Sequence, residues 1–240
     1  MRALVLIGFL SFAGGLLVAQ QHLKRPTRTA LTAFDRFSTV ELQNTDVSVR
    51  RLNIPAAESV SVSTGVHDYL IVSYGKSSLA VTGYQTKFDL DLADGDMQVM
   101  QGGWPHKLEN HSTEAAHLVL VEVARNLFPK SATCGLAAKN CGEVRFGKSA
   151  QGEYQQTTLF ETDTAKLFRV QIGAHVAIHQ HADGRPHLLI ALSPIQGHAD
   201  GEAFTLAAGD TYWQQGSIDE LVNDGSSDER LLVLELKRKY

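Results

Sequence analysis

At 240 residues, with 43% hydrophobic and 20% charged side chains, the chain can build a core and has room for one large domain or two of about 100 residues each. The 26 acidic and 22 basic residues leave a net charge of −4, which excludes the basic field that a nucleic-acid backbone requires. The ten histidines are the compositional oddity, with His175, His179, His181 and His187 close together in one segment.

The N-terminus has the layout of a secretory signal peptide over residues 1–19. Arg2 supplies the positive charge, residues 3–12 the apolar run, and residues 13–19 the small-residue stretch, with cleavage expected after Ala19. An uncleaved membrane anchor is the alternative, because Lys24, Arg25 and Arg28 follow the run. The expected location is therefore secreted or periplasmic, with no membrane contact after cleavage, or else N-terminally anchored. Residues 20–39 form a polar, basic segment in which a short helix over 29–37 is weakly indicated.

From Val40 the pattern becomes that of strands. Residues 47–52 and 60–63 alternate, 67–74 form a dense apolar run, and 78–82 and 118–123 follow. Turn residues separate them at Asn53 to Pro55, Gly65, Gly75 to Ser77, Gly83 and Ala93 to Asp96. Short strands at such spacing predict an all-β sandwich or barrel.

Residues 128–143 interrupt the rhythm and read as a connector. It contains both cysteines, Cys134 and Cys141, with no histidine between them. In an oxidising compartment this pair is expected to close a short loop as a disulfide, the alternative being two free thiols. Strand patterns then resume at residues 157–161, 166–172, 175–181, 187–192, 202–206, 210–213 and 231–236.

The two halves can be laid over one another. The run from His67 to Ser73 is similar to that from Pro186 to Ser193, the Gly95-Asp96 turn to Gly209-Asp210, and residues 118–123 to 232–236. This internal repeat predicts a duplicated unit, spanning residues 40–127 and 144–240.

These segments resemble the two short motifs of the cupin superfamily. The resemblance covers both halves and implies two tandem jelly-roll barrels, all-β, behind the signal peptide. In the metal-bound members, two histidines and a glutamate of the first motif and a histidine of the second hold one divalent ion. In the first half, the second motif is kept, with Gly103-Trp104-Pro105-His106 leading to Asn110. The first motif there has Asp68 in the glutamate slot and no histidine in Ser61 to Thr64. A metal is therefore not expected in that half, and His106 and Asp68 remain as pocket candidates, one hydrogen-bonding the other.

The second half does the reverse. His179-Gln180-His181 is intact, His187 occupies the carboxylate slot, and Asp219 stands where the second-motif histidine belongs. The resemblance implies His179, His181, His187 and Asp219 as ligands of a divalent transition metal, Fe, Mn, Ni, Cu or Zn, all of which accept nitrogen and oxygen donors. The alternatives are solvated histidines and an Asp219 that caps its own turn. Tyr212, Trp213 and Gln215 are candidates to line the pocket or to fill the barrel. Catalytic residues are not assigned. Two function classes follow: a metal-dependent enzyme acting on a small molecule in the C-terminal barrel, or a non-catalytic bicupin that binds a small ligand or serves structurally. Cupins often pair through their outer sheets, so the halves are expected to pair within the chain, and a homodimer is possible.

Overall fold

The structure is a computed structural model and describes residues 33–124, 127, 132–134, 144–149, 152–179 and 184–237. The segment 1–19 expected to be a signal peptide, Cys141, Gln180 and His181 lie outside the described residues. Residues 31–240 belong to one compact unit.

A five-residue helix, α1 (Ala33–Phe37), leads into the strands. Those of the first half are β1 (Ser38–Gln43), β2 (Val47–Ile54), β3 (Ser59–Val62), β4 (Tyr69–Ser73), β5 (Ser77–Gly83), β6 (Thr86–Leu92), β7 (Met97–Met100), β8 (His106–Asn110) and β9 (Ala116–Val123). They form two antiparallel sheets, sheet A in the order β1-β2-β9-β4-β7 and sheet B in the order β3-β8-β5-β6.

The second half contributes β10 (Ala132–Cys134), β11 (Val144–Ser149), β12 (Gly152–Thr162), β13 (Ala165–Ile172), β14 (Ala177–His179) and β15 (His187–Ala191). It continues with β16 (Ile195–Ala199), β17 (Glu202–Leu206), β18 (Thr211–Gln214), β19 (Glu220–Asn223) and β20 (Glu229–Leu236). Sheet C runs β10-β12-β13-β20-β15-β18 with β11 on β12, and sheet D runs β14-β19-β16-β17. The expected connector therefore contains a strand of sheet C, because Ala132 and Cys134 pair with Thr162 and Glu161.

Two layers of core explain the apolar runs. Leu52, Ile71 and Leu118 of sheet A meet Val60, Val81 and Leu108 of sheet B inside the first half. Val170, Leu189 and Val233 of sheet C meet Ile178, Ile195 and Leu221 of sheet D inside the second. A third cluster joins the halves: Val49, Leu70, Val72 and Val121 of sheet A lie against Leu167, Leu188, Ile190 and Leu232 of sheet C. Strands β4 and β15 are thus covered on both faces and every residue in them is buried. A strand buried on both faces reads as an uninterrupted apolar run, which is how these two read in the sequence.

The contacts between halves run in both directions. Arg51 of β2 pairs with Asp210 of the second half, and Arg169 of β13 pairs with Asp96 of the first at 3.3 Å. Gly95 and Gly209 both take a positive φ, +78° and +85°, in the turns that carry these aspartates. A Cβ on Gly95 would lie 2.7 Å from Leu192 Cδ1, and one on Gly209 would lie 2.5 Å from Tyr74 Cζ. Each turn is thus pressed onto the opposite half, the self-complementary pattern of a twofold dimer written into one chain.

No backbone pairing joins β6 to β7, the free edges of sheets B and A. The first half is therefore a sandwich with an open seam and not a sealed barrel.

Candidate functional site

Strand alternation decides which side chains enter the first sandwich. In β4, Leu70 and Val72 face the other half, so Tyr69 and Ile71 face inward. Tyr69 is 0% exposed and pairs in register with Met100 of β7 and Glu122 of β9. His106 opens β8 opposite Val62 and is 8% exposed. The Tyr69 hydroxyl lies 2.8 Å from His106 Nδ1, with the two rings edge to face.

This pair fixes a tautomer. Burial pushes the Tyr69 phenol well above its ordinary range, so it keeps its proton. Burial also lowers the His106 pKa from its ordinary 6.5, so the imidazole is neutral at physiological pH. Were Nδ1 the donor, the fully buried Tyr69 O–H would have no acceptor. Tyr69 therefore donates to Nδ1, and His106 carries its own proton on Nε2.

The Nε2 edge runs along Gly83, where a Cβ would stand 2.8 Å from the imidazole Cδ2 and 3.1 Å from Nε2. Nε2 makes no hydrogen bond among the described residues, yet it is not sealed from solvent-sized space. It opens onto a cavity of about 300 Å³ in the seam between β6 and β7, at the small end of the range for ligand pockets. The rim is aromatic: Tyr84 and Trp104 stack with centroids 4.7 Å apart and planes 14° from parallel, and Phe88 stands beside them. Tyr84, Trp104 and Phe88 are 60%, 50% and 38% exposed, although such rings are normally withdrawn from water.

Asp68 has a different task from the one expected. It points to the other side of β4, where Oδ1 accepts from Gly102 N at 3.0 Å and Oδ2 from Leu127 N at 2.7 Å. It fastens two loops and does not bond His106. The inward residue at the glutamate slot is Tyr69, and its counterpart in the second half is His187, since the two pair with Glu122 and Glu235 at matching places. The overlay of Asp68 on His187 is corrected by one residue, which in a strand exchanges the faces.

The second half places its expected ligands apart. In β14, Ile178 enters the core, so His179 faces outward. The His179 side chain is 70% exposed and lies 3.7 Å from Glu220 Oε1. His187 is buried and faces inward, with Nδ1 3.3 Å from Gly216 O. Asp219 is exposed and accepts from Ser217 Oγ at 3.0 Å, while its neighbour Ile218 fills the core. His175 sits exposed in a turn with φ of +59°.

Among the described residues no group of three histidine, cysteine, aspartate or glutamate side chains is placed to hold a metal. The expected convergence of His179, His187 and Asp219 is therefore not met, and His181 falls outside the described residues. The described donors do not fit a divalent ion in either half. In the first half, the inward positions of β3 are Val60 and Val62, so His106 has no imidazole facing it from that strand.

The aromatic candidates of β18 divide between its two faces. Tyr212 lies on the core of the second sandwich, stacked on Phe204 at 4.9 Å. Trp213 packs against the cluster between the halves and donates to Gln215 Oε1 at 3.1 Å. Trp213 is thus part of the joint and not of a pocket in the second half.

Sequence reasoning chose His106 but missed Tyr69, Tyr84, Phe88 and Trp104 as its surroundings. A signal was present: Trp104 stands between glycine and proline in Gly103-Trp104-Pro105, and Tyr84 follows Gly83 in a hairpin turn. Large aromatics on two exposed turns have no core to join.

No family model matches the sequence, and no curated protein matches it. Solved structures do match by fold. AerE from Microcystis aeruginosa is 12% identical, with a TM-score of 0.65, over 84% of this chain and 92% of that one. A cupin 2 conserved barrel domain protein from Leptotrichia buccalis is 11% identical, with a TM-score of 0.52, over 83% and 88%. The salicylate 1,2-dioxygenase of Pseudoaminobacter salicylatoxidans, in complex with gentisate, is 8% identical, with a TM-score of 0.54, over 80% and 69%. At such identities the likeness carries the fold alone, one shared with a cupin 2 conserved barrel domain protein, and leaves activity to the site.

Proposed function

We propose that this cupin-fold chain is an exported protein of two sandwich halves that binds a small organic molecule, and that the ligand enters the N-terminal half through the seam between β6 and β7. One observation carries the reading. A neutral imidazole, held in one tautomer by Tyr69, turns an unpartnered N–H toward an aromatic-rimmed cavity of about 300 Å³. A few placed polar groups inside an apolar-walled pocket are what small-molecule sites are made of. The gentisate complex of a structural neighbour supports the same ligand scale. The arginine, apolar run and small residues of segment 1–19 support export. The C-terminal half then serves as a partner that buries the outer face of sheet A.

A fragment screen by thermal shift, run on wild type and on Trp104→Ala, tests this. Ligands that raise the melting temperature of the wild type and lose that effect in the variant are expected. Elemental analysis after reconstitution with Fe, Mn, Ni, Cu and Zn runs alongside. A stoichiometric metal that is lost in the double variant His179→Ala, His181→Ala would overturn the reading and return the chemistry to the C-terminal half.

A further inference from the structure

We propose, resting on the N-terminal site just described, that its ligand is uncharged and planar and carries an acceptor oxygen, as an aromatic amide or ketone does. Three features of the cavity select this class.

The first is charge. The side chains that line it include no lysine, arginine, aspartate or glutamate. A carboxylate or an ammonium would give up water there and gain no counter-charge, which makes a charged ligand the costly one.

The second is shape. Tyr84 and Trp104 already lie parallel, so they present a flat wall at the mouth, with Phe88 next to it. Aromatic faces favour offset stacking with other flat rings, and a planar ligand extends the existing stack without moving either ring.

The third is the hydrogen-bond pattern. His106 Nε2–H is a donor with a fixed direction, because Tyr69 holds the far side of the ring and Gly83 lies along its edge. It calls for an acceptor on the ligand. Gln98 donates its amide N–H to Val99 O at 2.9 Å, and its Oε1 makes no hydrogen bond among the described residues. His106 and Gln98 both line the cavity, beside the polar side chains of Thr86 and Gln101, and a donor on the one with an acceptor on the other is the complement of a carbonyl next to an N–H.

Benzamide has this pattern. Benzoate keeps its shape and adds a charge, and cyclohexanecarboxamide keeps its polar group and loses the flat ring. Each is titrated into the mature chain at neutral pH and followed by ligand-observed NMR. Benzamide is expected to saturate below about 10 mM, with the other two at least about tenfold weaker. Trp104→Ala, whose side chain is half exposed, is expected to weaken benzamide about tenfold without loss of fold. Tyr69→Phe, which frees the imidazole to change tautomer, is expected to weaken it less. Benzoate or cyclohexanecarboxamide binding as tightly as benzamide would overturn the inference and leave the N-terminal site standing. Saturable benzamide binding that is indifferent to both variants would also overturn it. If no compound of any class binds in a way that depends on Trp104, the inference and the site both fall.

Discussion

Asn110 in the first sandwich and Asn223 in the second occupy the same place and do the same work, whereas His106 and Asp219, four residues before each, do not. Asn110 is 0% exposed; it donates to Ile54 O and Glu114 O at 2.9 and 2.7 Å and accepts from Ser112 N and Oγ. Asn223, also 0% exposed, donates to Ile172 O and Ser227 O and accepts from Gly225 N. Both amides tie the loop before the last strand of a sandwich to the end of an earlier strand. The positions that close the frame are repeated, and the positions that face the interior have diverged. In the first half a histidine and a tyrosine meet at the base of an open seam. In the second, Ile218 fills the core beside an outward Asp219.

The largest effect is expected where the halves are alike. Asn110→Ala leaves the buried Ile54 carbonyl and the Ser112 N–H without their partner, and a loss of about 2–4 kcal/mol follows from the desolvated groups. Asn223→Ala is expected to match it within about 1 kcal/mol. Urea unfolding of the two variants measures both. A cost confined to one of them would break the claim that the frame is shared.

The joint between halves gives the next effect and sharpens the comparison, because its two arginines are not equally satisfied. Arg51 bonds Glu41 Oε1 through Nε and Nη2 and also pairs with Asp210. Arg169 reaches Gly95 O at 2.7 Å and Asp96, but its buried Nε has no partner. Both side chains are about a third exposed, 31% and 35%, so solvent screens their charges. Arg51→Met is expected to cost about 1 kcal/mol. Arg169→Met is expected to cost less, since methionine covers the same apolar surface and removes an unpaired donor. An Arg169 variant that loses more than the Arg51 variant would show that the unpaired Nε is not what sets the two arginines apart.

The difference between halves was only partly open to sequence reading. The strands covered on both faces, β4, β15, β9 and β20, were legible because two-sided burial writes an unbroken apolar run. Strand β6 was missed: its exposed face carries Lys87, Asp89 and Asp91, and its hydrophobic positions are few. The site was obscured by single-residue register. Asp68 and Tyr69 are adjacent, as are Ile178 and His179, and in each pair one side chain enters the sandwich while the other leaves it. Motif spacing does not resolve a one-residue shift, and a strand converts that shift into opposite faces. The histidine pattern of the second half was the stronger sequence signal, and its first member points to solvent. The cavity itself arises from an unpaired seam between two strand edges, a property of how the sheets end that no residue pattern records.

The smallest expected effect is a slope in pH, and it belongs to the first half alone. Burial holds the His106 pKa below 6.5, so between that folded value and 6.5 the unfolded chain binds a proton that the native chain does not. The sign follows: the stability that His106 contributes in its neutral form is fully present above 6.5 and is lost as pH falls toward the lowered folded value. Geometry supplies the cause. A protonated His106 must donate from Nδ1, which reverses its bond with Tyr69 and strands a phenol O–H that is 0% exposed. Stability of wild type and His106→Gln, measured by urea unfolding from pH 7.5 to pH 5, should therefore differ in slope, the wild type falling faster with acid. Parallel curves for wild type and His106→Gln would mean that burial does not hold the imidazole neutral, and the fixed donor on which the N-terminal site depends would go with it.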